Sequence, residues 1–131
     1  PRPPQPPKDA DEKGSIIVVL ATDAPLDNRQ LRRIARRAGA GIARLGAFWG
    51  NGSGDIALAV STDARIAHDE TRDVLETRML NEARIDRLFQ AAAEATQEAV
   101  LNALCAARPT HGRGGTYRPS LADWLAAPPG G

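Results

Sequence analysis

An α/β fold is predicted by two apolar strand-like runs, 16–21 and 56–61, each followed by a segment with helical periodicity, in the order β-α-β-α. The length sets the scale: 131 residues, 42% hydrophobic but only 4% aromatic, suit one domain whose core is built from Leu, Ile, Val and Ala. The chain divides into a Pro-rich linker over 1–14, a main portion over 15–108 and a C-terminal tail over 109–131.

Residues 1–13, PRPPQPPKDADEK, hold five prolines and then a charged run, the composition of an extended linker. Such a linker presents the Gly14-Ser15 bond rather than burying it. Residues 16–21, opening Ile16-Ile17-Val18-Val19-Leu20, form a continuous apolar run rich in β-branched residues, of the kind covered on both faces, and Thr22-Asp23-Ala24-Pro25 ends it. From Asp27 to Leu45 the apolar positions Leu31, Ile34, Ala35, Ala38, Ile42 and Leu45 recur at helical spacing, with Arg29, Arg32, Arg33, Arg36 and Arg37 between them. The spacing predicts one amphipathic helix with a basic face, capped by Gly46. Ile56–Ser61 predicts a second strand beside the first. Residues 62–83 are polar and mixed, with a candidate short strand at 71–75. The set Leu88, Phe89, Ala92, Thr96, Ala99, Val100, Ala103 and Leu104 predicts a long helix over 86–107, N-capped by Asp86 and ended by Pro109. His111–Gly115 reads as loop, and Ser120-Leu121-Ala122-Asp123 as a capping box for a last short helix.

A formal net charge of +1 gives no global pull towards nucleic acid or an anionic membrane. The arginines of the first helix lack interleaved aromatics and read as a solvated face or subunit contact rather than a nucleic-acid surface. Cys105 is the single cysteine, so no internal disulfide forms; it reads as a small buried hydrophobe. His68 and His111 have no ligand-spaced partners, and neither a metal nor another cofactor is expected. No run is long and apolar enough to span a bilayer. The chain starts at Pro1 and its one methionine is Met79, so it is read as a C-terminal piece of a longer precursor; a cytoplasmic location is expected, with any signal peptide lying upstream.

Two motifs carry chemistry. A serine at the lip of a buried strand, preceded by a residue with no side chain, can attack its own preceding carbonyl; cleavage at Gly14-Ser15 would leave a hydroxyl and an α-amine on one residue, and that amine can act as base. The run Gly50-Asn51-Gly52-Ser53-Gly54-Asp55 opens the second strand, so two serines and a carboxylate can meet at neighbouring strand ends. Taken alone, this run also fits a tight turn or an anion cradle, although it lacks the Lys and the following helix of a P-loop.

Ser15–Leu26 (SIIVVLATDAPL), Leu31–Arg37 (LRRIARR), Gly50–Ile56 (GNGSGDI) and Arg84–Phe89 (RIDRLF) together resemble the β-subunit of the L-aminopeptidase/D-amidase/D-esterase family, which includes the β-peptidyl aminopeptidases. The resemblance runs in order from Gly14 to about Ala107. It implies half of an αββα four-layer sandwich of N-terminal-nucleophile type, self-cleavage between Gly14 and Ser15, and oligomers of αβ units. Residue by residue, it makes Ser15 the nucleophile, with Ser53 and Asp55 as its supporting network. Asp55, Gly52 and Gly54 are expected to face a small peptide or amino-acid amide, with Asp55 holding its free amine. The α-portion of the same precursor would supply much of the oxyanion hole and pocket, so the chain by itself is expected to be nearly inactive. A self-processing N-acyltransferase is the alternative, disfavoured because those enzymes use threonine; a noncatalytic assembly fragment is a third.

Overall fold

The computed structural model describes residues 14–126. The linker expected over 1–13 and the Pro-Pro-Gly-Gly end lie outside the described residues. Strand β1 (Ile17–Thr22) and strand β2 (Ile56–Ser61) pair in parallel, Ile17 opposite Ile56 and Thr22 opposite Ser61, so both enter the sheet from the same end. A parallel pair needs a long crossover, and helices α1 (Asn28–Ala35) and α2 (Ala38–Ala43) supply it. A 3-10 turn (Glu82–Arg84) leads into α3 (Asp86–Ala106); a small hairpin, β3 (Thr110–His111) with β4 (Tyr117–Arg118), and α4 (Leu121–Ala126) come after it.

Alternation along the strands assigns their faces. Leu20 of β1 and Ala59 of β2 turn towards the helices and pack against the buried cluster of Leu26, Ile34, Ile85 and Ala92. Ile17 and Val19 turn the other way and are 69% and 62% exposed, beside the exposed Ile56, Leu58 and Val60. Among the described residues the sheet is therefore covered on one face, where the apolar run predicted cover on both.

The helix expected over 27–45 is two helices. Arg37 donates to the Ile34 carbonyl at 2.8 Å, a tightened turn that re-aims the chain before Ala38. The re-aimed α2 brings Gly41 against α3, where an added Cβ would lie 2.4 Å from the Ala93 carbonyl oxygen and 2.8 Å from Thr96 Cβ. Gly46, at φ +96°, closes α2 as expected. At the start of α1 a reciprocal capping box joins Asp27 and Gln30, and the fully buried Gln30 also donates to Leu80 O (2.7 Å) and Glu82 Oε1 (3.1 Å). Glu82 further accepts from Arg29 and Arg33, which holds its carboxyl down to about 2, the Arg29 hydrogen bond being the main cause. Phe89 of α3 lies under the Arg33 and Arg37 guanidinium groups, at 4.8 and 3.9 Å.

Four further expectations are corrected. Residues 71–75 form no strand, and Val74 is 79% exposed. Asp86 is the first residue of α3 rather than its cap, because Asn81 has already opened the preceding 3-10 turn by accepting from Ala83 N. Cys105 is exposed, since the last turns of α3 run past the elements that cover its beginning. His111–Gly115 is partly built, as β3 and a 3-10 turn. The Ser120–Asp123 capping box forms as expected, with Ser120 N donating to Asp123 Oδ2 at 2.9 Å and Asp123 N to Ser120 Oγ at 3.1 Å.

Candidate active site

Because β1 and β2 are parallel and in register, the residues preceding them meet at one end of the sheet. Ile56 N–H donates to Ile16 O at 2.9 Å, the last rung of the ladder. The next rung is made by a side chain: Ile16 N–H donates to Asp55 Oδ1, also at 2.9 Å. The second carboxylate oxygen, Oδ2, accepts from Ser53 Oγ at 2.8 Å. Ser15, exposed at the lip of β1, accepts from Gly54 N–H on its Oγ at 3.0 Å. Ser15, Ser53, Gly54 and Asp55, drawn from segments 39 residues apart, thus form one connected cluster.

One turn shapes the loop. Ser53 N–H donates to Gly50 O at 2.9 Å, folding 50–53 so that Ser53 points back at Asp55 two residues on. A Cβ added to Gly54 would lie 3.6 Å from Ser15 Oγ, an ordinary contact, so it is the amide rather than the missing side chain that engages the serine. Gly52 and Gly14 are exposed.

An N–H aimed at Ser15 Oγ steadies negative charge on that oxygen and leaves its own hydrogen free to point elsewhere. Asp55 can receive positive charge relayed through the Ser53 hydroxyl, and its grip on Ile16 N–H ties the carboxylate to the residue next to Ser15. On the helix side of the sheet a cavity of about 360 Å³ opens beside Asp55, lined also by Ile16, Arg32, Arg36 and Trp49. The amides of Ile16 and Gly54 and the Trp49 ring are not singled out by sequence reasoning, since a backbone N–H has no residue signature and Trp49 sits in an irregular segment. His68 and His111 are exposed and away from the cluster in sequence, and among the described residues no group of His, Cys, Asp and Glu is placed to hold a metal. No helix among them is long and apolar enough to cross a membrane.

A family profile described as "Peptidase family S58" matches residues 3–118. The chain is 45% identical over 94 residues to the β-peptidyl aminopeptidase BapA of Sphingosinicella microcystinivorans and 40% identical over 96 residues to that of Sphingosinicella xenopeptidilytica, each match covering 72% of this chain and 24% of the relative. Among solved structures, the PH0078 protein from Pyrococcus horikoshii OT3 superposes with a TM-score of 0.74 at 48% identity, covering 79% of this chain and 30% of that one. The L-aminopeptidase D-Ala-esterase/amidase from Ochrobactrum anthropi, described as a prototype of the serine aminopeptidases and a variant of the Ntn hydrolase fold, does so with 0.73 at 38%, covering 82% and 31%. The chain thus spans about a quarter of the length of the curated relatives it matches.

Proposed function

Since the chain belongs to peptidase family S58, we propose that it is the nucleophile-bearing portion of a self-processing serine aminopeptidase that removes amino-terminal residues from peptides, amides or esters. The observation that carries this reading is the single cluster formed by Ser15 Oγ, Gly54 N–H, Ser53 Oγ and the Asp55 carboxylate.

In self-cleavage, Ser15 Oγ adds to the Gly14 carbonyl carbon, the Gly14–Ser15 C–N bond breaks, and the departing nitrogen takes a proton to become the α-amine of Ser15. Water then hydrolyses the ester, leaving a carboxylate on Gly14 and restoring the hydroxyl. The exposure of both residues leaves that bond accessible. In turnover the same oxygen adds to the substrate carbonyl, its proton passing to the Ser15 amine, whose ordinary pKa of about 8 leaves it partly neutral near pH 7, or through Ser53 towards Asp55; the bond to the leaving amine or alcohol then breaks as that group takes the proton, and water hydrolyses the acyl-enzyme ester, releasing the amino-terminal residue and restoring the hydroxyl. The Gly54 amide is a donor to the oxygen that attacks. Both Asp55 oxygens already carry protein donors, which favours a role in this network over a primary grip on the substrate amine.

The rest of the site belongs to an α-portion of the same precursor, whose sheet packs on the uncovered face of β1 and β2 to complete a four-layer αββα sandwich. The bare row of Ile17, Val19, Ile56, Leu58 and Val60 supports this, because an apolar row of that kind is ordinarily buried. The αβ units assemble into homo-oligomers, and this portion without its α-portion is nearly inactive. The test is Ser15→Ala in the full-length protein: it blocks both maturation, read by intact mass, and hydrolysis of amino-acid p-nitroanilides. Normal processing in that variant would sink the nucleophile assignment.

A further inference from the structure

Trp49 is the one non-glycine among the described residues with positive φ, at +56°. For a bulky side chain that is a genuine outlier, kept only where surroundings enforce it, and such outliers gather at functional sites. Core burial does not enforce it here, since Trp49 is 55% exposed. The indole is seated instead on Gly39 of α2: a Cβ built on Gly39 would lie 2.2 Å from Trp49 Cη2 and 2.4 Å from Cζ2, so the indole occupies the space a side chain at 39 would fill. Gly39 is a poor helix former inside a six-residue helix. Two locally unfavourable choices, a glycine within a helix and a left-handed tryptophan, meet at one contact.

The loop that begins right after Trp49 gives this contact its meaning. Gly50, the next residue, accepts the Ser53 N–H that closes the turn, and Ser53 in turn donates to Asp55. Trp49 and Asp55 line the same cavity beside the sheet end. We infer that Trp49 is a positioning residue, whose indole seated on Gly39 sets where the Gly50–Asp55 loop stands relative to Ser15. The inference rests on Ser15 acting as nucleophile. A serine and a carboxylate on a loop need such an anchor because a displacement of about 1 Å at a reacting centre can cost on the order of a hundredfold in rate.

The experiment is Gly39→Ala in the full-length protein, which improves helix propensity while thrusting a methyl into the indole. Self-cleavage and kcat should fall by about ten- to a hundredfold, with KM little changed and the thermal midpoint held. Trp49→Gly should fall similarly, whereas Trp49→Phe, which keeps a flat ring over Gly39, should recover most of the rate. In the double variant Gly39→Ala/Trp49→Gly the methyl has nothing to displace, so it should be no slower than Trp49→Gly. A wild-type rate in Gly39→Ala, or losses that multiply in the double variant, would overturn the proposal. Should Gly39→Ala fail to accumulate, equal rates for Trp49→Gly and Trp49→Phe would overturn it instead. Ser15→Ala run in parallel separates the two readings: an inert Ser15→Ala beside a full-rate Gly39→Ala removes the positioning role alone, while cleavage by Ser15→Ala removes the reaction both rest on.

Discussion

Replacing Asp55 by Asn keeps the size of the side chain and removes one acceptor. The carboxylate accepts Ile16 N–H on one oxygen and the Ser53 hydroxyl on the other, at 2.9 and 2.8 Å. An asparagine oxygen can keep the Ile16 bond, but its amide nitrogen then meets Ser53 donor to donor, and Ser53 has to turn its hydrogen away. Keeping the Ser53 bond instead strands the Ile16 amide. Either arrangement loses one charge-assisted bond, about 1.5–3 kcal/mol, so roughly ten- to a hundred-and-fiftyfold in rate if the bond is needed in the transition state. The assay is single-turnover cleavage at Gly14-Ser15 in the full-length protein, tracked by intact mass, together with hydrolysis of p-nitroanilides bearing free or acetylated amines. Self-cleavage and hydrolysis of both substrates are expected to fall by similar factors. Normal self-cleavage, with only the free-amine substrate affected, would refute the network and give Asp55 the substrate amine.

Other perturbations reach different parts of the molecule. Val19→Asp, on the bare sheet face, should leave the helix-covered core intact yet prevent assembly of the full-length protein into its mature form, seen by size-exclusion chromatography; normal assembly would place the second sheet elsewhere. Gln30→Ala leaves the Leu80 carbonyl without its buried donor and removes half of a capping box, so a loss of about 2–4 kcal/mol is expected in denaturant unfolding of the full-length protein; a loss under about 0.5 kcal/mol would mean water or a neighbour takes over. Glu82 should titrate at about 2 by NMR. Its folded value is depressed, so its contribution to stability is present above the ordinary carboxylate range and is lost as pH falls through about 2; Arg29→Ala should raise that midpoint.

Strong periodicity made the main elements legible. The run 16–21 and the actual β1 differ by one residue at each end, and the helix expected over 86–107 ends one residue early, because the next residue, Ala107, is extended. The break between α1 and α2 is not legible at its own residues, since Arg36 and Arg37 are sound helix formers; it accompanies the close approach of Gly41 to α3, a tertiary contact. Cys105 is the opposite case: its neighbours are apolar, but residues 101–108 are all exposed, so apolar character there does not report burial. At the site, Ser15, Ser53 and Asp55 were readable as residue types ahead of strands, and parallel register brought them together. The donors that complete the cluster, Ile16 N–H and Gly54 N–H, belong to the backbone, and the buried Gln30 reads in sequence as an ordinary polar residue of a helix's first turn.

The side-chain rung between Ile16 and Asp55 makes the site a checkpoint on the chain's own folding. A nascent chain holding β1 alone carries Ser15 but neither the Gly54 amide nor the carboxylate, which arrive 39 residues later. Parallel pairs with long crossovers are among the slower contacts to form, so the serine stays without its partners through the early stages of collapse. A slip of one residue between β1 and β2 would turn Asp55 to the opposite face of the sheet, leaving the Ile16 amide without it and carrying the Ser53–Asp55 pair away from Ser15. Strand pairing in the correct register is therefore what brings the Gly54 amide and the Asp55 carboxylate to the strand end that carries Ser15.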